Sequence, residues 1–168
     1  MFLERFYPDY EAADAYGIDY EQLYRMGFRG IIFDIDNTLV PHGAAADRRA
    51  RKLFRRLGNI GFSTVLLSNN KEMRVRKFAE EVDSPYLYQA GKPAAKGYAA
   101  AMKLMGITKE QTIFVGDQLF TDVWGAKRLG IRTYLVRPIH PKEEIQIVCK
   151  RKLEAIVLYF YHKNRKKR

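Results

Sequence analysis

At 168 residues the chain is about one domain's worth, long enough to bury a single sizeable core. Its lone cysteine, Cys149, excludes an internal disulfide, and the charged start MFLERFYPDYEAADAYG excludes a secretory signal, so a reducing cytoplasm is the expected setting. No apolar run reaches the ~20 residues of a membrane-spanning helix, which limits any bilayer contact to a peripheral one, and a net charge of +11 favours anionic partners.

Residues 1–28 carry two basic and six acidic side chains, a net −4, and read as an amino-terminal extension of the single domain expected over 1–168. The first strand is RGIIFDID (29–36). A helix follows over 47–61, with Leu53, Phe54 and Leu57 on one side, six basic residues around them, and Gly58 and Gly61 as stop signals. FSTVLLSNN (62–70) is a second strand, KEMRVRKFAEEV (71–82) a helix, and SPYLYQAG (84–91) a short strand. AAKGYAAAMKLMG (94–106) is helical, QTIFVGD (111–117) a fourth strand, LFTDVWGAKRLG (119–130) a helix and IRTYLVRP (131–138) a last strand. Strands and helices alternating over short connections predict an α/β fold: a doubly wound parallel sheet, Rossmann-like, with both faces covered.

In such sheets the ligand site lies beyond the carboxyl ends of the strands. Asp34 and Asp36 end the first predicted strand, Ser68 the second and Asp117 the fourth, while Lys92 follows the third and Asp122 lies five residues beyond Asp117. A cluster of acids needs a cation, because like charges a few ångströms apart repel by several kcal/mol at intermediate dielectric. Carboxylate oxygens without a His or Cys cluster suit magnesium better than zinc, and Lys92 adds a fixed positive charge. Residues i and i+2 of an extended segment point the same way, so Asp34 and Asp36 can address one ligand. One carboxylate attacking phosphorus, its neighbour moving protons, and magnesium with lysine neutralising the phosphoryl oxygens make a phosphoryl-transfer site with an aspartyl-phosphate intermediate.

These residues also resemble a known family. DIDNT, LLSN, GKP and VGDQLFTD occur in the order of the four motifs of the haloacid dehalogenase (HAD) superfamily and cover residues 31–122. The resemblance implies that Asp34 is the nucleophile and Asp36 the general acid and then base. Thr38 fixes the turn, Ser68 holds the phosphoryl group with Asn69 beside it, and Lys92 balances its charge. Asp117 binds Mg2+ with Asp34 and the backbone carbonyl of Asp36, and Asp122 is a second acid on the magnesium side, with action through water or through Lys92 left open. Lys96 rivals Lys92 but lacks a following proline, and His42 reads as a loop residue. An acid at Asp36 favours phosphatases over the dehalogenase branch. The 29 residues between Thr38 and Ser68, and the short gap to Lys92, leave no room for a cap domain. A capless site is open, so the expected substrate is large or surface-held, or the site is covered by a second copy of the chain.

The tail, 142–168, carries nine basic and three acidic residues and reads as an amphipathic helix with a basic end. Ile145, Val148, Cys149, Leu153, Ile156, Val157 and Phe160 recur at helical spacing, which suits either packing on the sheet or peripheral contact with an anionic membrane at the inner face. The capless motif set as a whole is similar to the YqeG group and, with it, to the phosphatidylglycerophosphate phosphatases of mitochondria and plastids. That implies a magnesium-dependent phosphatase acting on a phospholipid or another membrane-held phosphate. A soluble phosphatase for sugar phosphates, nucleotides or phosphoproteins stays open; a nucleic-acid-binding module with a vestigial site is disfavoured, since no base-reading motif is present.

Overall fold

In the computed structural model, residues 2–140 and 145–166 are described. Six strands form one sheet: β1 (Tyr10–Ala12), β2 (Gly30–Phe33), β3 (Ser63–Leu67), β4 (Tyr86–Leu87), β5 (Thr112–Gly116) and β6 (Arg132–Val136). Their spatial order is β1-β6-β5-β2-β3-β4, and every neighbouring pair is parallel. The chain therefore winds outward from β2 to β4, returns to β5 on the other side of β2, and winds outward again. The switch point falls between β2 and β5.

Side-chain alternation along the strands sorts the core into two layers. Ile31, Phe33, Leu66, Ile113 and Val115 face α1 (Tyr20–Arg25), α2 (Arg48–Ile60) and α3 (Glu72–Val82). Ile32, Val65, Leu67 and Phe114 face α4 (Ala95–Met105) and α5 (Trp124–Lys127). Helix α2 starts because the Asp47 carboxylate accepts the Ala50 N–H at 2.8 Å, and it stops where Gly61 takes a left-handed φ of 115°. No cap domain occurs among the described residues, and the predicted doubly wound α/β sheet is the observed one.

Three details differ from the sequence reading. The amino-terminal segment contributes β1 at the sheet edge beside β6 and the buried Tyr20 and Leu23 of α1; a three-residue strand leaves no periodicity to read. The first strand ends at Phe33, because beyond Asp34 the carbonyl of Ile35 accepts the N–H groups of Thr38 and Leu39 and closes a turn with Asn37 at φ 62°. The helix predicted over 119–130 is instead a π-helical turn, Leu119–Val123, leading into α5: the Gln118 carbonyl accepts the N–H groups of both Asp122 and Val123.

The last helix, α6 (Ile145–Arg165), turns its buried side, Glu154, Val157 and Tyr161, onto the body of the protein. Its Val157 packs with Phe6, Leu119, Val123 and Leu135, and its Asn164 amide donates to the Tyr7 hydroxyl. The apolar stripe read from the sequence meets this buried face only in part: Val157 is buried, whereas Val148, Cys149, Leu153 and Ile156 are exposed. Lys142 and the last two basic residues lie outside the described residues.

Phe114 is fully buried on β5, its ring 5.3 Å from that of Tyr98. Truncation to alanine there leaves a cavity that the rigid sheet cannot close, so Phe114→Ala lowers stability by about 3–5 kcal/mol, read as a lower urea midpoint at unchanged slope.

Candidate active site

Asp34, Ser68 and Asp117 are each the first residue past a strand, β2, β3 and β5 respectively. The parallel sheet brings those three ends together at the switch point. Lys92 arrives from the loop between β4 and α4 and is held there by its backbone: its N–H donates to Asn69 Oδ1 at 2.7 Å, and its carbonyl accepts from Asn69 Nδ2 at 3.1 Å. Both ends of the Asn69 amide are thus spent on positioning the lysine, a task its place beside Ser68 does not reveal.

The Lys92 ammonium is buried and donates to Asp34 Oδ1 and Asp122 Oδ1, at 2.7 Å each. Burial disfavours its charge, but Asp122 and Asp34 together outweigh that and hold its pKa well above the ordinary lysine range. Asp122 spends its other oxygen on the N–H groups of Asp117 and Gln118, both at 3.1 Å. This explains the glycine before Asp117: a Cβ on Gly116 would sit 2.5 Å from Asp122 Oδ2. Thr38 bridges Asp34 Oδ2 at 3.0 Å and Asp117 Oδ1 at 3.2 Å.

Asp36 stands apart from this cluster. Burial alone would raise its pKa; the Gly43 N–H at 2.7 Å, the Arg74 guanidinium at 3.0 Å and the Asn70 amide at 3.3 Å outweigh burial and hold it below the usual carboxylate range. Asp34 behaves oppositely. Burial pushes it up to about 6, with repulsion from Asp122 and Asp36 adding to the rise and Lys92 opposing it. Asp117 is likewise raised by burial, then by Asp34 and Asp122, against the pull of Arg151. The two neighbouring carboxylates thus have pKa values pushed apart by their surroundings, Asp34 upward and Asp36 downward.

A cavity of about 170 Å³ opens over this floor, lined by Asp34, Asp36, Ser68 and Lys92, with His42 and Lys150 at its rim. Lys96, on the first turn of α4, is exposed. Larger grooves elsewhere, such as one of about 510 Å³ between α2 and β3, contain no such cluster of acids and lysine. Oxygens of Asp34, Asp117 and Asp122 lie within 4.8 Å of one another, a hard donor set that fits a magnesium-like cation. Three participants escape the sequence reading: Arg74 behind Asp36, and Arg151 with Glu154, which reach Asp117 and Leu119 from α6. Arg74 sits in the first turn of the helix that follows Ser68, a place where a basic residue could have been suspected. Arg151 lies 34 residues from Asp117, and no spacing signals it.

Residues 89–145 match the HAD-hydrolase-like family model. Over 159 residues the chain is 35% identical to "Probable phosphatase YqeG" of Bacillus subtilis (strain 168), covering 94% of this chain and 92% of that protein. The chain belongs to the HAD-superfamily phosphatases. It is also 31% identical, over 162 residues, to phosphatidylglycerophosphate phosphatase 1, chloroplastic/mitochondrial, of Arabidopsis thaliana, a match that spans 90% of this chain and 47% of that longer relative. Among solved structures, the HAD phosphatase from Thermococcus onnurineus shares the fold, with a TM-score of 0.50 at 13% identity over 70% of this chain and 90% of that one.

The Asp34 shift carries a stability consequence. Its folded pKa of about 6 lies above the ordinary carboxylate value of about 3.9, so the stability that its protonated form contributes at low pH is lost as pH rises through about 6. Asparagine at that position does not titrate. In a chelating buffer, the melting temperature of Asp34→Asn relative to wild type therefore rises between about pH 4 and pH 7; a difference independent of pH contradicts the assignment.

Proposed function

We propose that this phosphatase hydrolyses phosphate monoesters with magnesium through an aspartyl-phosphate on Asp34, and that its substrate is phosphatidylglycerophosphate or another phosphate held at a membrane. The observation that carries the reading is the buried Lys92 bridging Asp34 and Asp122 at the floor of a cavity that Asp36 and Ser68 also line. Asp34, Asp117 and the backbone carbonyl of Asp36 would hold the cation, with Asp122 on the same side; when bound, it neutralises charge on the phosphoryl oxygens and favours the ionised nucleophile.

In the first half-reaction an Asp34 oxygen bonds to phosphorus as the bond from phosphorus to the leaving oxygen breaks, and Asp36 passes to that oxygen a proton that it has first taken up from water or from the substrate monoanion. In the second, Asp36 takes a proton from water as the water oxygen bonds to phosphorus and the link to Asp34 breaks, releasing phosphate. Ser68 donates its hydroxyl proton to a phosphoryl oxygen, and Lys92 offsets the charge of the transferring group. The three hydrogen bonds that Asp36 accepts keep it ionised at rest, which matches the base half of its task.

Two observations support a membrane-held substrate. The relatives above include a phosphatidylglycerophosphate phosphatase. The outer face of α6 carries Leu153, Ile156 and Tyr159, each more than half exposed, beside Lys150, Lys152 and Lys163, the pairing of apolar and basic groups that an anionic bilayer surface complements. No helix among the described residues is long and apolar enough to cross a membrane. Extracting a lipid costs about 0.8 kcal/mol per methylene, so an open enzyme acting on one works at the surface.

Asp34→Asn is expected to abolish turnover of an aryl phosphate while leaving the circular dichroism spectrum intact, and full activity in that variant refutes the mechanism. Asp117→Asn should weaken magnesium binding and recover in part at high magnesium, whereas Asp36→Asn should not recover; identical magnesium titrations contradict the division of roles. A screen that sets phosphatidylglycerophosphate in anionic micelles beside soluble sugar phosphates tests the substrate, and preference for the soluble esters overturns the lipid assignment. Deleting residues 163–168 removes five basic side chains and is expected to reduce sedimentation with anionic vesicles, more at low salt than at high, without changing turnover of a soluble ester. Equal sedimentation at low salt removes the tail from the membrane contact.

A further inference from the structure

We propose that Arg151 is a positioning residue for the cation site, through which the carboxy-terminal helix α6 orients Asp117; this rests on the cation-dependent reading above. Asp117 is the one member of the acidic cluster that Lys92 does not touch, since Lys92 is engaged by Asp34 and Asp122. Its carboxylate is gripped from two sides instead. Thr38, which also meets Asp34, is hydrogen-bonded to Oδ1, and the Arg151 guanidinium is hydrogen-bonded to Oδ2. The same guanidinium donates to the Asp117 backbone carbonyl at 2.6 Å, so it holds the main chain and the side chain of one residue together.

Arg151 is itself braced. Its Nη1 donates to Glu154 Oε2 at 3.0 Å, and Glu154 Oε1 accepts the Leu119 N–H at 2.8 Å. Asp117, Arg151, Glu154 and Leu119 thereby close a ring that clamps the loop after β5 onto α6. Val157 packing on Leu119 and Val123 joins the same elements, but it does not meet the Asp117 carboxylate. A groove of about 460 Å³ runs beside α6 and is lined by Asp117, Arg151, Glu154 and Leu158, none of which lines the catalytic cavity. The Asp117 side chain is nonetheless fully buried, and the guanidinium is what stands against its Oδ2.

A planar, forked cation suits the task, because it meets a carboxylate, a carbonyl and a second carboxylate in fixed directions; an ammonium is a point charge without that geometry. With Oδ2 and the main chain secured by Arg151, Oδ1 is left on the side of Thr38, which also meets Asp34. Groups that orient a metal-binding carboxylate from behind commonly change cation affinity by about 10–100-fold when removed.

The test is magnesium binding to the full-length chain, followed by isothermal calorimetry without substrate and checked by electron paramagnetic resonance with manganese. Arg151→Gln is expected to weaken binding by about 10–100-fold while the magnesium-saturated turnover of an aryl phosphate changes far less. Arg151→Lys, which keeps the charge and loses the fork, is expected to fall between the two. Glu154→Gln, which loosens the guanidinium from its far side, is expected to weaken binding in the same direction and serves where Arg151→Gln does not fold. Binding within twofold of wild type in both Arg151→Gln and Glu154→Gln, even with a lowered melting temperature, makes the ring a structural brace only and overturns the inference. Tighter binding in Arg151→Gln overturns it too, by making the arginine a competitor of the cation, and full recovery in Arg151→Lys reduces the effect to charge alone. A wild-type chain that binds neither cation overturns the cation-dependent reading itself, and this inference falls with it.

Discussion

A buried ammonium between two buried carboxylates is the constraint around which the rest of this molecule is arranged. Lys92 reaches Asp34 at the end of one central strand and Asp122 beyond the end of the next, so it ties β2 to the loop after β5 across the switch point. Removing one partner from such a group typically costs about 3–5 kcal/mol, because the charges left behind remain out of water. The surroundings reflect that penalty. Asn69 fixes the lysine backbone at both its N–H and its carbonyl, Gly116 leaves room for the Asp122 carboxylate, and the loop N–H groups of Asp117 and Gln118 take up its second oxygen.

The charge inventory of the site points the same way. Asp34, Asp36, Asp117, Asp122 and Glu154 face Lys92, Arg74 and Arg151, which leaves acids in excess of bases in a largely buried space. That excess is centred on the three carboxylates whose oxygens converge, and it is the condition under which a divalent cation binds with a net electrostatic gain. Asp36 lies outside that group because Arg74 and the Gly43 N–H draw it aside. Two carboxylates only one residue apart thus acquire different environments, one crowded by other acids and one surrounded by donors.

The carboxy-terminal helix shows how far tertiary structure can redirect a sequence pattern. Its apolar residues recur at helical spacing, which suits either packing or a membrane surface, and the fold divides them: Val157 is buried while Leu153 and Ile156 are exposed. The helix is held partly by Val157 and Tyr161 and partly by Arg151 and Glu154, which answer polar groups of the loop after β5. The Leu119 N–H that Glu154 accepts and the Asp117 carboxylate that Arg151 meets are placed by the folded loop, and no periodicity in residues 145–165 encodes them.

The sequence by itself determined the parallel α/β sheet, the short connections that leave no cap among the described residues, and which strand ends carry charge. Those features are local: apolar runs of strand length, short connections, and carboxylates directly after the runs survive in a linear reading because neighbouring residues produce them. Only the tertiary structure decided what those charges meet. Lys92, already preferred to Lys96 in the sequence, is aimed into the site by its loop and Asn69, Asp122 faces that lysine because the π-helical turn brings it back over Gly116, and Arg151 reaches Asp117 across 34 residues. Contacts between groups that are distant along the chain depend on where the sheet and helices bring them, and spacing in the sequence holds no record of that.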